Sequence, residues 1–246
     1  MRMILPQAGG ELDDFELAQA YAYPRERWLR ANMVMSADGS ASVAGKSGGL
    51  SSPGDMRVFG ILRVLADVVL AGSGTVRTEQ YKPARPRPAL AALRKGRPAT
   101  ATIAVLSGSL DLDLTAPLYT EAPPDARTIV ITSEAAPAEL RAAAAKVADV
   151  IVAGEKSVDL PAALTALADR GLARTICEGG PHLLGQVAAG GLLDELSLTI
   201  SPTLAGPGAG RILAGEPFAP AAMTLTQVLT EDAFLFCRYL LANPAS

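Results

Sequence analysis

The sequence predicts an α/β protein with a mostly parallel central sheet, helices on both faces, and antiparallel strands at the C-terminal end. Three observations carry that prediction. Short apolar runs alternate with helix-length segments through the middle of the chain, the signature of strand–helix–strand units. Runs such as Asp67–Ala71 are continuously apolar rather than alternating, as strands covered on both faces require. From Glu195 onward, strand-like segments follow one another with no helix between them, which calls for an antiparallel edge.

Taken in order, residues 1–26 are polar and mixed. They read as an N-terminal arm with a lead-in helix around Asp13–Tyr21, so that one domain spans 27–246. Trp28–Ala37 is the first strand of that domain, followed by the loop Gly45–Gly49 and a helix over Pro53–Ala66. Asp67–Ala71 is the next strand, and Gly72–Gln80 turns into a helix. Lys82–Thr100, rich in proline and basic residues, is expected to be a solvated loop, the alternative being a funnel for an anionic ligand. Strands then fall at Thr102–Leu106, Thr128–Thr132, Val150–Val152 and Arg174–Cys177, with helices at Pro137–Val147, Leu160–Arg170 and Pro181–Ala189. The helix from Leu160 has clear punctuation: Asp159 to cap it, Pro161 in its first turn, Gly171 just past its end. Glu195–Ile200, Met223–Leu229 and Phe234–Leu241 complete the sheet.

Composition narrows the function. The chain has 246 residues, 22 Lys plus Arg against 25 Asp plus Glu, and a formal charge of −3, so no broad positive field exists to hold a nucleic acid. Hydrophobic residues make up 49% and charged residues 19%, which excludes disorder over most of the chain. The two cysteines, Cys177 and Cys237, are too few for a disulfide scaffold or a zinc cluster and read as inert core residues. No spanning helix and no signal peptide are expected, which points to the cytoplasm.

Ligands of open α/β sheets bind beyond the carboxyl ends of strands. Three strand ends stand out: Ser36-Ala37-Asp38-Gly39, Gly72-Ser73-Gly74-Thr75-Val76, and Glu178-Gly179-Gly180-Pro181-His182-Leu183-Leu184-Gly185. Glycines there let the backbone approach a ligand, and a helix opening at Pro181 aims N–H groups at an anion. Glu178, at the end of a buried strand, either contacts a substrate N–H or caps the helix that follows. His182 is the only histidine, and in the first turn of a helix it reads as a packing or capping group rather than a catalytic base. Arg63 stands among Leu62, Val64 and Leu65, where a guanidinium needs a definite partner such as a phosphate.

These motifs together resemble the C-terminal reductase domain of RibD, a dihydrofolate-reductase-like enzyme of riboflavin biosynthesis. The resemblance rests on Asn32–Gly39, Gly72–Val76, Glu178–Pro181 with Leu183-Leu184, and Leu193–Leu196, and runs from about Arg27 to Leu241. Stand-alone actinobacterial pyrimidine reductases are the most similar members. The resemblance implies a single dihydrofolate-reductase-like domain that uses NADPH to reduce C1′ of 5-amino-6-(5-phosphoribosylamino)uracil. It assigns NADPH to Gly49, Thr75, Glu79, Ser107 and the stretch Gly180, Pro181, His182, Leu183, Leu184, Gly185 and Gln186. It assigns the substrate to Ser47, Arg63 and Glu178, with Glu178 as a candidate proton donor. Ser107 and Arg77 are candidates for the 2′-phosphate. It also implies a homodimer, for which Phe234, Phe236 and Tyr239 are candidate interface residues. The family's usual first-strand Lys is Asn32 here, and its usual Asp is Glu79. The upstream deaminase motifs His-x-Glu and Cys-x-x-Cys do not occur, so no metal is expected. Two other readings fit the same motifs: a reductase of dihydrofolate or another pterin-like substrate, and a non-catalytic nucleotide-binding regulatory protein.

Overall fold

The structure is a computed structural model that describes residues 1–242; the last four positions of the expected domain lie outside the described residues. In chain order the elements are β1 (Arg2–Leu5), α1 (Asp14–Ala20), β2 (Trp28–Ser36), α2 (Pro53–Leu65), β3 (Val68–Gly72) and α3 (Ser73–Thr78). There follow β4 (Thr102–Leu106), α4 (Pro117–Thr120), β5 (Ile129–Thr132), α5 (Ala138–Ala145), β6 (Asp149–Val152) and α6 (Leu160–Ala168). The chain ends with β7 (Arg174–Cys177), α7 (Pro181–Ala189), β8 (Glu195–Ser201), β9 (Met223–Glu231) and β10 (Phe234–Leu241). The chain folds as two compact units. One holds residues 1–22, 29–62 and the chain from 176 onward; the other holds 23–28 and 63–175.

In the first unit β1 pairs with β9, β9 with β10, and β10 with β8, all antiparallel, and β8 pairs with β2 in parallel. The predicted antiparallel C-terminal edge is thus present. It also recruits the N-terminus: Arg2–Leu5, read from sequence only as part of an arm, is a strand on β9. The lead-in helix forms as expected, fixed by a capping box in which Asp13 accepts from Glu16 N–H and Glu16 accepts from Asp13 N–H. One face of this sheet carries a buried ion cluster. Arg30 donates to both oxygens of Glu195, at 2.6 and 3.1 Å, and Arg238 donates to Glu195 at 3.0 Å. The same two arginines reach the C-terminal end of α1 through the carbonyls of Tyr21 and Ala20.

In the second unit β3, β4, β5 and β6 pair in sequence order, all parallel. Val68–Ala71, Ile103–Val105 and Ile129–Ile131 are buried throughout, which explains their uninterrupted apolarity. Helix α6 has the predicted ends: Asp159 accepts the Ala162 N–H at 2.9 Å, and Gly171 takes φ +77° beyond the last turn.

Two expectations are corrected. Lys82–Thr100 is not a simple solvated loop. Pro88–Arg94 forms a 3₁₀ segment, and Arg94 is only 5% exposed, with its guanidinium spent on the carbonyls of Val64, Ala66, Pro98 and Thr100. Phe236 is 1% exposed, so it belongs to the core and not to an interface.

Candidate active site

The sequence-predicted residues divide between the units. Ser47, Gly49, Glu178 and Gly180–Gln186 lie in the first; Arg63, Thr75, Glu79 and Ser107 lie in the second.

In the first unit, β7 ends at Cys177 and the chain turns through Glu178-Gly179-Gly180 into α7. Glu178 is buried. Gly179 has φ +82°, a conformation side chains resist, and the Gly179–Gly180 peptide is cis. Gly180 is the N-cap and offers no side chain, and Pro181 occupies the first helical position, where its missing N–H costs nothing. The first-turn N–H groups of α7 therefore carry no side-chain cap and face an approach narrowed by no Cβ at positions 179 and 180. Leu183, Leu184 and Gly185 are buried against the unit, while His182 and Gln186 are exposed. His182, read from sequence as a packing or capping group, does neither: it is exposed, and α7 has no side-chain cap. The Cys177 thiol is pushed up to about 12, chiefly by burial, so it is no nucleophile.

Gly49 lies in the loop after β2, where a Cβ would come within 2.9 Å of the Val43 Cβ, so the crossing of this loop on itself requires glycine. Ser47 opens the short 3₁₀ turn that contains Gly49. The turn after β2 is held by Asp38. It accepts the Ser36 hydroxyl and the N–H groups of Ala205 and Gly206, at 3.1 and 2.8 Å. Those hydrogen bonds, the Ser36 hydroxyl foremost, lower the Asp38 carboxyl to about 2. The motif Ser36–Gly39 was visible in sequence, but the partner segment was not, because it lies more than 160 residues away.

In the second unit, β3 runs into α3, whose C-cap is Glu79; the Glu79 N–H donates to the Thr75 carbonyl at 2.9 Å. Ser107 is buried at the exit of β4 and its Oγ accepts the Leu110 N–H at 3.1 Å. Arg77 reaches the same turn, donating to the Asp111 carboxylate at 3.1 Å. The two residues expected near a 2′-phosphate thus meet at one loop. Arg63, in the last turn of α2, is half-buried with its guanidinium 5.3 Å from the centre of the Tyr81 ring.

The model of the RibD C-terminal domain matches residues 27–233. The 2,5-diamino-6-ribosylamino-4(3H)-pyrimidinone 5′-phosphate reductase of Methanothermobacter thermautotrophicus is 32% identical over 176 residues, 71% of this chain and 77% of that protein. The enzyme of the same name from Archaeoglobus fulgidus is 30% identical over 182 residues, 73% of this chain and 82% of that one. A solved pyrimidine reductase-like protein from Corynebacterium diphtheriae superposes with a TM-score of 0.82 at 27% identity, covering 92% of this chain and 98% of that one.

Proposed function

The chain belongs to the RibD C-terminal domain family, and from that premise we propose that it is an NADPH-dependent reductase of a phosphorylated ribosylaminopyrimidine in riboflavin biosynthesis. One observation carries the reading: the archaeal relatives that share about a third of its residues over most of both chains are named as reductases of such a substrate.

The residues present fit a dinucleotide. The uncapped first turn of α7 has the backbone donors and the dipole sign that a pyrophosphate needs, and Gly179-Gly180 leave room for it. Gly180–Gln186 are assigned to the cofactor on that ground, and Gly49, Thr75, Glu79 and Ser107 by their place in the family pattern. When bound, NADPH supplies a hydride to C1′ of the opened, imine form of the sugar, and one proton completes the ribitylamino product. The chain's work is positioning. Glu178 holds an N–H of the pyrimidine or its amine and is the candidate source of that proton, Ser47 holds a polar group of the substrate, and Arg63 its phosphate, whose oxygens match the guanidinium fork.

The ring expected from sequence is the uracil; the relatives' names favour the 2-amino ring as a second reading. The experiment is NADPH oxidation with each phosphorylated ring and with dihydrofolate, for the wild type and Glu178→Gln. We expect turnover with a phosphorylated pyrimidine and none with dihydrofolate. Glu178→Gln should lose about 10²-fold in kcat/KM, the low end for a group that handles a proton. NADPH binding without turnover on either ring would establish the non-catalytic reading instead.

Two further assignments are supported by the chain itself. Cys177 and Cys237 are free and buried, which suits a reducing cytoplasm, and among the described residues no helix is long and apolar enough to cross a membrane. Met223, Leu225 and Leu235 expose apolar side chains on one face of β9 and β10, and we assign that patch to a homodimer contact.

A further inference from the structure

We propose that Asp38 is a positioning residue for the cofactor, acting through the segment that follows β8; this rests on the assignment of α7 to NADPH. That segment, residues 202–217, has no regular structure and is mostly exposed. Gly206 and Gly208 have φ of +79° and +101°, so the backbone there follows a path open mainly to glycine and is ordered at a high entropic cost. Hydrogen bonds from elsewhere in the unit fix it. At its start, the Asp38 carboxylate accepts the N–H groups of Ala205 and Gly206, and the Ala37 N–H donates to the Thr203 carbonyl at 2.9 Å. In the middle, the Ala41 N–H donates to the Gly210 carbonyl at 2.8 Å. At its end, the Ala214 N–H donates to the Pro181 carbonyl in the first turn of α7, at 3.0 Å. The seat on α7 is close: a Cβ at Gly185 would run into the Ala214 carbonyl.

The turn after β2 is thereby coupled to the helix end that holds the cofactor. Asp38 supplies the carboxylate among these pins, beside a hydroxyl contact of Ser201 with Thr203 at 3.0 Å, and it stays charged at neutral pH because three donors face it. It does not need to touch the ligand. Without it, the glycine-rich part of the segment is free to leave its path, and the seat on α7 loses its counter-anchor.

The test is NADPH titration by fluorescence, with steady-state kinetics and amide hydrogen exchange, on wild type, Asp38→Asn, Asp38→Ala, Gly185→Ala and the double variant Asp38→Asn with Gly185→Ala. Asp38→Ala should weaken NADPH binding about tenfold, within the ordinary range of coupling between separate sites. Asp38→Asn should fall between, because it keeps one of the two acceptor oxygens. KM for NADPH should move more than kcat, and the Ala205 and Gly206 amides should exchange faster. The double variant should lose less than the sum of its parts, since both changes release one segment. If Asp38→Ala does not fold, Asp38→Asn carries the comparison. Unchanged NADPH binding in the Asp38 variants, with weaker binding in Gly185→Ala, overturns the role of Asp38 and leaves the α7 assignment standing. Unchanged binding in all of them, Gly185→Ala included, removes the α7 assignment and the role of Asp38 with it.

Discussion

Glu195 and Glu178 are both buried acids at strand ends and both fall in family motifs, yet only Glu178 had a role legible from its own neighbours. Glu178 precedes two glycines and a helix start, the local pattern expected of a strand end that meets a ligand. Glu195 has no such neighbourhood. Its partners Arg30 and Arg238 lie 165 and 43 residues away, and only the pairing of β8 with β2 and β10 brings them together. Burial raises the Glu195 carboxyl, but Arg30 and then Arg238 outweigh it, and the group sits below the usual range. A lowered folded value means this stabilisation is full above the unfolded value of about 4.3 and is lost as pH falls through the folded one. Replacing the acid strands the buried Arg30 guanidinium and leaves the half-buried Arg238 without its carboxylate. Glu195→Gln should therefore cost about 3–5 kcal/mol in urea unfolding at neutral pH. The gap between variant and wild type should close in acid. A loss under 1 kcal/mol would mean the cluster is solvated and not a structural tie.

Helix ends show where sequence punctuation works and where it cannot. The ends of α6 were readable because Asp159, Pro161 and Gly171 are adjacent to what they cap. The C-terminal end of α2 is capped by residues from a later segment. Arg94 donates to the Val64 and Ala66 carbonyls at 2.8 and 2.7 Å, and Arg97 to Leu65 at 3.0 Å and to the Asp67 carboxylate at 2.9 Å. The basic stretch that looked like a solvated loop is in part a cap delivered from about 30 residues downstream, and a cation suits the negative end of a helix. Burial, then Arg97, brings Arg94 down to about 10, so it remains charged at neutral pH. Its planar fork serves four carbonyls at once, a geometry that lysine cannot copy. Arg94→Lys should lower unfolding free energy by about 2–3 kcal/mol, and Arg94→Ala by at least as much, because buried carbonyls are left without donors. Equal stability of the lysine variant and the wild type would show that charge alone caps the helix.

At the scale of the whole molecule, the alternation of strands and helices was written in the sequence because each strand's burial is set by its own residues. The outer surface of the C-terminal sheet was not, because a bulge resets which residues share a face. β10 pairs Arg238 with Gln227 but Tyr239 with Leu225, so one residue of β9 is extra. Beyond that point Met223 and Leu225 stand beside Leu241 and Tyr239, on the face opposite the buried Phe236 and Leu229. Met223 and Leu225 are 45% and 41% exposed, and Leu235 on the same face is 37% exposed. A sheet face of this composition is stabilised when a second apolar surface covers it, and a second copy offers a matching one through a two-fold axis. The interface candidate therefore shifts from Phe236 and Phe234, which share the opposite face, to Leu225 and Leu235, with Tyr239 retained. Light scattering should give the mass of a dimer for the wild type and of a monomer for Leu225→Glu, with unchanged circular dichroism to show that the fold persists. Phe15→Glu, on α1 and 47% exposed, is the control that should stay dimeric. A dimer that survives Leu225→Glu and Leu235→Glu together would mean that copies meet elsewhere, and a monomeric wild type would mean that this face stands open to water.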